Sequence, residues 1–190
     1  MDEIVFQHAQ TRGWWDGPGR YYCINRNIIA MCQANTSKEI LFALLGEGIG
    51  FDMGGPGFTF PNGKRVRGLD LLMSQAADVQ ADAVHLPFKD NSLDFIMSFH
   101  ALEHFVDVER AIGEFIRVVK HNGIIYSAIP DKRYFLHDNA NPNLPLGAAA
   151  PSEMVPSDML AILKKFSGIK ILLFDSHQNN FDFDFLCRKI

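Results

Sequence analysis

The sequence predicts an α/β sandwich built on a mostly parallel sheet. Three observations carry this. Short apolar runs of strand length alternate with segments of helical periodicity. A glycine-rich turn and several acids fall at the carboxyl ends of successive strands. The chain closes with two apolar runs joined by the loop Asp175 to Asp182, the pattern of an antiparallel hairpin.

The elements follow in order. Residues 1–46 mix aromatic clusters with short helices. Gly13-Trp14-Trp15-Asp16-Gly17-Pro18-Gly19 is turn-rich, Arg20-Tyr21-Tyr22 follows, and Asn25 to Cys32 predicts a short helix. Thr36-Ser37-Lys38-Glu39 has the form of a capping box, so a helix over 37–45 follows and ends at Gly46. Gly48 to Met53 is the first core strand, and Gly54-Gly55-Pro56-Gly57 is its turn. Arg65 to Asp70 is the second strand and ends on an acid; Ala81 to Val84 is a short third. Leu93 to Ser98 is apolar on both faces, as a strand inside a parallel sheet is.

Asp107 can cap the next helix, on which Val108, Ala111, Ile112, Phe115, Val118 and Val119 form one apolar face. Glu114 and Arg117 can pair along it, a contact worth about 0.2–0.5 kcal/mol. Asn122-Gly123 is expected to end this helix through a left-handed glycine. Ile124 to Ile129 is the fifth strand, stopped by Pro130, and strand–helix–strand with short joints makes a right-handed βαβ unit. Asp131 to Pro156 is a long loop rich in Asn, Pro, Ala and Gly, of the kind that is functional or mobile. Ser157 is expected to cap a helix over Asp158 to Phe166, with Met159, Leu160, Ile162, Leu163 and Phe166 facing the core and Gly168 ending it. Ile169 to Phe174 and Phe183 to Ile190 are the last two strands.

Composition narrows the class. The 190 residues are 47% hydrophobic and 21% charged, which suits one soluble globular domain. A net charge of −4 with no basic run argues against a nucleic-acid partner and for a small or neutral substrate. Cys23, Cys32 and Cys187 are odd in number and widely spaced, so they predict free thiols in a reducing cytosol rather than a metal ribbon. The acidic opening MDEIVFQHAQ lacks the apolar core of a signal peptide. No apolar run reaches the roughly 18 residues of a membrane span. Nothing in the sequence sets the oligomeric state.

In open α/β sheets, ligands bind outside the carboxyl ends of the strands. That edge carries four candidate contacts: the turn Asp52-Met53-Gly54-Gly55-Pro56-Gly57, Asp70, Asp82 and Phe99-His100. Glycines let backbone approach a ligand closely, though a plain tight turn uses them too. Asp70 can accept hydrogen bonds from both hydroxyls of a ribose, or serve as a solvated cap. Asp82 can accept an adenine's exocyclic amine, or be one more loop acid. His100-Ala101-Leu102-Glu103-His104 also matches H-x-x-E-H, the inverted zinc-peptidase signature, in which two histidines on one helical face hold zinc and Glu103 acts as base.

Taken in order, GFDMGGPG, GLDL, ADAVHLPF, NSLDFIMS, HALEHF and EFIRVVKHNG are similar to the motifs of class I S-adenosylmethionine-dependent methyltransferases. They are closest to the group acting on small molecules or glycans. The resemblance runs from Gly48 to Arg133 and is most specific from Asp82 to Gly123. It implies a Rossmann-like three-layer sandwich with a seven-stranded sheet, S-adenosylmethionine as cofactor, and methyl transfer to a small-molecule or glycan acceptor. Asp52, Gly54 and Gly55 would form the floor under the methionine part, with Met53 beside them. Asp70 would hold the ribose and Leu71 would pack on the adenine. Asp82 and Ala83 would hold the adenine edge, and Ser98, Phe99 and His100 would border the sulfonium. His104 and His100 are the candidate bases for a hydroxyl acceptor; no metal site is expected. Trp14, Trp15, Tyr21, Tyr22 and Tyr134-Phe135-Leu136-His137 could wall the acceptor pocket, and Asp131, Lys132 and Arg133 could bind a charged acceptor.

The chain then reads as one domain over 1–190. It has an N-terminal segment 1–46, a cofactor-binding core 47–133, and a substrate loop with closing hairpin over 134–190. One departure stands out. The family's glycine motif has the form acid-x-Gly-x-Gly-x-Gly, and Asp52 to Gly57 is one residue short. The crossover to Val66 is also too short and too rich in Phe, Pro and Gly for a full helix. A binding module that keeps the fold without turnover is the alternative this departure favours, and zinc hydrolysis is the third reading.

Overall fold

Leu93–Phe99 and Val119–Pro130 are apolar on alternate residues in both directions, and they lie side by side at the middle of one sheet. The structure is a computed structural model, and it describes residues 48–55, 57–59, 65–71, 77–99, 101–131, 154–175 and 182–190. Its strands are β1 (Gly50–Met53), β2 (Gly57–Thr59), β3 (Arg65–Asp70), β4 (Val79–Gln80), β5 (Leu93–Phe99), β6 (Val119–Pro130), β7 (Ile169–Asp175) and β8 (Asp182–Lys189). Two helices, α1 (Val108–Val118) and α2 (Pro156–Leu163), and a 3₁₀ turn over Leu102–His104 complete the described elements. The strand order is β2-β3-β1-β5-β6-β8-β7, with β4 also on β3. Pairs β1/β3, β1/β5, β5/β6 and β3/β4 are parallel, while β6/β8 and β7/β8 are antiparallel, so the closing hairpin is present.

Six of the seven expected strands are there, and the differences are local. The third strand is Val79–Gln80, not Ala81 to Val84. Asp82 accepts hydrogen bonds from Val84 N–H on its side chain and from His85 N–H on its carbonyl, and this turn competes with extension. An eighth strand, β2, runs antiparallel to β3 inside the crossover that was too short for a helix. Helix α2 begins at Pro156 behind Val155, with no side-chain cap, so Ser157 lies inside it. Proline at the first helical position has no N–H to leave unsatisfied, which lets the helix start there.

Helix α1 starts where expected: Asp107 Oδ1 accepts from Arg110 N–H at 2.9 Å. It ends four residues before the expected Asn122-Gly123 stop. Val119 is extended and pairs with Leu93; five residues of β6 then span two of β5 before Ile124 meets Phe95. Asn122, not Gly123, takes the left-handed conformation in that bulge, at φ 64°. The cause is tertiary. Lys189 Nζ, from the far end of β8, bonds the carbonyls of Val119 at 2.9 Å and Arg117 at 3.3 Å, satisfying the helix end with a cation.

The apolar face of α1, Val108, Ala111, Ile112, Phe115 and Val118, is buried with Met159 and Leu163 of α2 against Phe51, Met53, Ile96, Ile125, Ile129, Phe183 and Phe185. The opposite sheet face carries Val66, Phe95, Met97, Phe99, Ile124, Tyr126, Ala128 and Leu186, also buried. Cys187 lies in the first cluster, and burial pushes its thiol up to about 12, which makes it unreactive. Cys23, Cys32, the expected helix over 37–45, the aromatic segment around Trp14 and Tyr21, and Lys132 to Glu153 lie outside the described residues. Among the described residues no helix is long and apolar enough to cross a membrane.

Phe115 is fully buried at the centre of the first cluster. Phe115→Ala should cost about 3–5 kcal/mol. Urea unfolding should show this as a lower midpoint at unchanged slope.

Candidate functional site

The parallel strands bring their carboxyl ends to one edge, and the predicted site residues gather there. Register places Met53 of β1 beside Leu69 of β3 and Ser98 of β5. Each strand thus delivers its next residue to the same level: Gly54, Asp70 and Phe99. Alternation then sorts the side chains by face. Asp52 and Asp70 share the face of Val66 and Phe99, while Met53 is fully buried on the α1 face. Met53 is therefore a core side chain that can reach a ligand only through its backbone.

Asp52 is the most perturbed group at this edge. It is 5% exposed, and its Oδ2 accepts a hydrogen bond from Gly57 N–H at 3.2 Å. Burial raises its pKa to about 7; the Gly57 bond opposes this, and the negative charge of Asp70 adds to it. The two acids thus lie on the same face of the neighbouring strands β1 and β3. The turn between them is tight. Gly54 has φ 74°, its N–H donates to Leu69 carbonyl at 2.7 Å, and an added Cβ would sit 2.4 Å from the Ala101 methyl. On Gly55 an added Cβ would lie 2.1 Å from Asp52 Oδ2, so no other residue fits against that carboxylate. The shortened motif still wraps its glycines over the acid.

Leu71, just past Asp70, is 57% exposed. Ala81 N–H bonds Asp70 carbonyl at 3.0 Å, which ties the Asp82 turn to the end of β3. Asp82 is exposed and Ala83 is buried. Ser98 and Phe99 are consecutive in β5 and point to opposite faces. The Phe99 ring packs 5.7 Å from Tyr126, while Ser98 lies fully buried beside Ser127. Their side chains cannot border one ligand from the same side. His100 lies outside the described residues. His104 is half-buried, its Nε2 3.7 Å from Oε1 of Glu103, itself only 2% exposed. The zinc reading needs residues 100–104 on one α-helical turn. Ala101 instead has φ −132°, outside a 3₁₀ turn of only three residues, so the helical premise fails.

Three arrangements escaped the sequence reading. Both carboxylate oxygens of Asp78 accept from Arg65 Nη2 at 2.7 Å, and Oδ2 also accepts from Gly68 N–H at 2.8 Å. Partial burial would raise its pKa, but the Arg65 hydrogen bond and charge hold it below the ordinary carboxylate value. Tyr126 donates to buried Asp184 at 3.0 Å, on the same face as Phe99. Glu114 and Arg117 form a hub rather than a surface pair. The first two have no spacing signal, Tyr126 and Asp184 being 58 residues apart, while the spacing of Glu114 and Arg117 shows only the pair and not its loop partners.

The comparisons with known proteins agree with this geometry. Residues 58–127 match the family model described as a methyltransferase domain. A sterol 24-C-methyltransferase of Schizosaccharomyces pombe is 29% identical over 98 residues, covering 46% of this chain and 25% of that protein. A demethylmenaquinone methyltransferase of Desulfitobacterium hafniense is 38% identical over 66 residues, covering 35% of this chain and 22% of that protein. Among solved structures, a Thermotoga maritima methyltransferase superposes with a TM-score of 0.54 at 22% identity, over 77% of this chain and 84% of that one.

Residues 58–127 are thus similar to a methyltransferase domain, and the fold is that of the solved methyltransferase.

The sheet is Rossmann-like, with β2 added at the β3 edge. The Thermotoga maritima protein is an S-adenosylmethionine-dependent methyltransferase. The chain spans a quarter of the length of the yeast relative and less than a quarter of the bacterial one.

The Asp52 shift has a definite sign. The folded state holds the proton up to about pH 7, while the unfolded chain releases it near 3.8. Between those values ionisation favours unfolding, by up to about 4 kcal/mol above pH 7. Asp52→Asn removes that proton equilibrium. Thermal melts from pH 4 to 8 should show the variant gaining on wild type as pH rises to 7, with no further gain above.

Proposed function

We propose that the domain binds S-adenosylmethionine and transfers its methyl group to a small-molecule acceptor. The buried Asp52 and half-buried Asp70 carboxylates, on one face beside a Cβ-free turn, are the observation that supports this most. The cofactor carries a cationic amino acid part and a ribose diol, and an acid pair at a strand edge suits both. In this reading Asp52, Gly54 and Gly55 lie under the methionine part, with the Met53 backbone beside them. Asp70 accepts the ribose hydroxyls. The exposed side chain of Leu71 packs on the adenine, and the Asp82 carboxylate takes the exocyclic amine beside Ala83. Phe99, His100 and the backbone at Ser98 border the sulfonium.

The cofactor supplies an activated methyl group and its own leaving group. The protein's task is alignment of the acceptor, and effective molarity carries much of the rate. For a hydroxyl acceptor a base must take the proton. His104 is the residue assigned to this, since its ring lies beside the Glu103 carboxylate, which stabilises an imidazolium; His100 is the second candidate. The sterol and demethylmenaquinone named for the two relatives favour a small molecule over a glycan. The buried thiol of Cys187 suits a reducing compartment, and the cytosol is the proposed location.

Calorimetric titration with S-adenosylmethionine and S-adenosylhomocysteine tests the reading. Saturable binding is expected, and Asp70→Ala should weaken it by about tenfold or more, since hydrogen bonds to a charged acceptor are lost. Affinity for the cationic ligand should rise as pH passes 7, because bound ligand favours ionised Asp52. Folded protein that binds neither ligand at millimolar concentration would overturn the reading. It would favour a module whose β2-containing crossover has cost it the cofactor.

A further inference from the structure

The stretch 81–92 carries Asp82 and Ala83, and it contains no helix or strand. Such a segment needs partners for its backbone, and helix α1 supplies them. Leu86 is 5% exposed. Its N–H donates to Glu114 Oε2 at 2.8 Å, and its carbonyl accepts from Arg117 Nη2 at 3.0 Å. Arg117 Nη1 donates to the Phe88 carbonyl at 2.8 Å and to Asp90 Oδ1 at 2.7 Å. Its Nε and Nη2 close a fork on Glu114, both at 2.7 Å. Those five bonds equal the five N–H donors of a guanidinium, in a planar arrangement that lysine cannot copy. The main chain of α1 takes the end of the loop: Asn91 N–H bonds Arg117 carbonyl at 3.0 Å, and Ser92 N–H bonds Val118 carbonyl at 2.8 Å.

The other end of the stretch is tied to β3 by Ala81 N–H on Asp70 carbonyl. Between the anchors at Ala81 and Leu86 lies the Asp82 turn, closed by its own two bonds to Val84 and His85, and the His85 ring is itself held by Arg110 of α1. The Phe88 ring, 4.6 Å from Phe51, presses the loop onto β1 from the same side. The position of the Asp82 carboxylate relative to Asp70 therefore depends on where α1 holds Leu86.

We propose that Glu114 and Arg117 are a positioning pair for cofactor recognition. By clamping residues 86–90 to α1 they hold the Asp82 turn at the adenine edge, and so set the preference for a 6-amino purine. This rests on the reading that the domain binds S-adenosylmethionine. A clamp that served stability alone would affect every ligand alike. A clamp that sets base selectivity affects only ligands that differ at the purine 6-position.

The test is calorimetry with S-adenosylhomocysteine and S-inosylhomocysteine, in which an oxo group replaces the 6-amine. Wild type should prefer the adenosyl ligand by about tenfold or more, the worth of one charge-assisted hydrogen bond. Arg117→Lys and Glu114→Gln should both still bind, with that preference collapsing toward one. Glu114→Gln keeps an acceptor for Leu86 N–H and guards against loss of folding in the lysine variant. Asp82→Ala should show the same collapse, and combining it with Arg117→Lys should lower the ratio no further. Variants that melt earlier but keep the wild-type ratio would overturn the proposal, as would wild type that binds both ligands equally well. Folded wild type that binds neither ligand overturns the cofactor reading itself, and does so before any variant is made.

Discussion

The in-register parallel pairing of β1 with β3 and β5 is the constraint on which the carboxyl edge depends. Parallel strands all end on the same side, and buried ones can carry polar groups only where the sheet stops. Asp52, Asp70 and Phe99 are far apart in the chain and share an edge and a face because Met53 aligns with both Leu69 and Ser98. A slip of one residue would send each side chain to the other face and bury the acids against α1. The same alternation separates Ser98 from Phe99 and commits Met53 to the core.

The short glycine turn changes how the first crossover is built without removing the acid from beneath it. A full motif leads into a helix; here the chain turns at Gly57 and adds β2 to the outer edge of β3. Gly57 N–H then bonds Asp52, so the carboxylate keeps one backbone donor. One bond does not offset complete burial beside a second acid, and Asp52 is left holding a proton near neutrality. A cationic ligand would reverse that balance, since its charge favours the ionised form.

Much of the fold was legible. The bounds of β3, the cap at Asp107, the apolar stripe of α1 and the closing hairpin all follow from periodicity and capping chemistry. These are local signals, set by residues three or four apart. The misreadings occur where a distant residue decides. Lys189 satisfies the end of α1 from another strand, which lets the chain leave the helix at Val118. The Asp82 turn displaces the third strand upstream, and Asp78 holds it there through Arg65 and Gly68. In the site, the residue types at the strand ends were readable, while their division between faces needed the register.

The sequence by itself determined the class of fold and the likeness to methyltransferase domains, because strand–turn–helix order and the run from Asp82 to Gly123 are properties of contiguous residues. It also determined which acids stand at strand ends. Only the tertiary structure decided what those residues do to one another. It turned Glu114 and Arg117 from a surface pair worth a few tenths of a kcal/mol into the anchor of a whole loop, and it turned Asp52 from an ordinary acid into one protonated near neutrality. The physical reason is common to both. Hydrogen bonding and desolvation depend on what surrounds a group in space, and in a parallel sheet those surroundings come from strands that the chain reaches only after long crossovers.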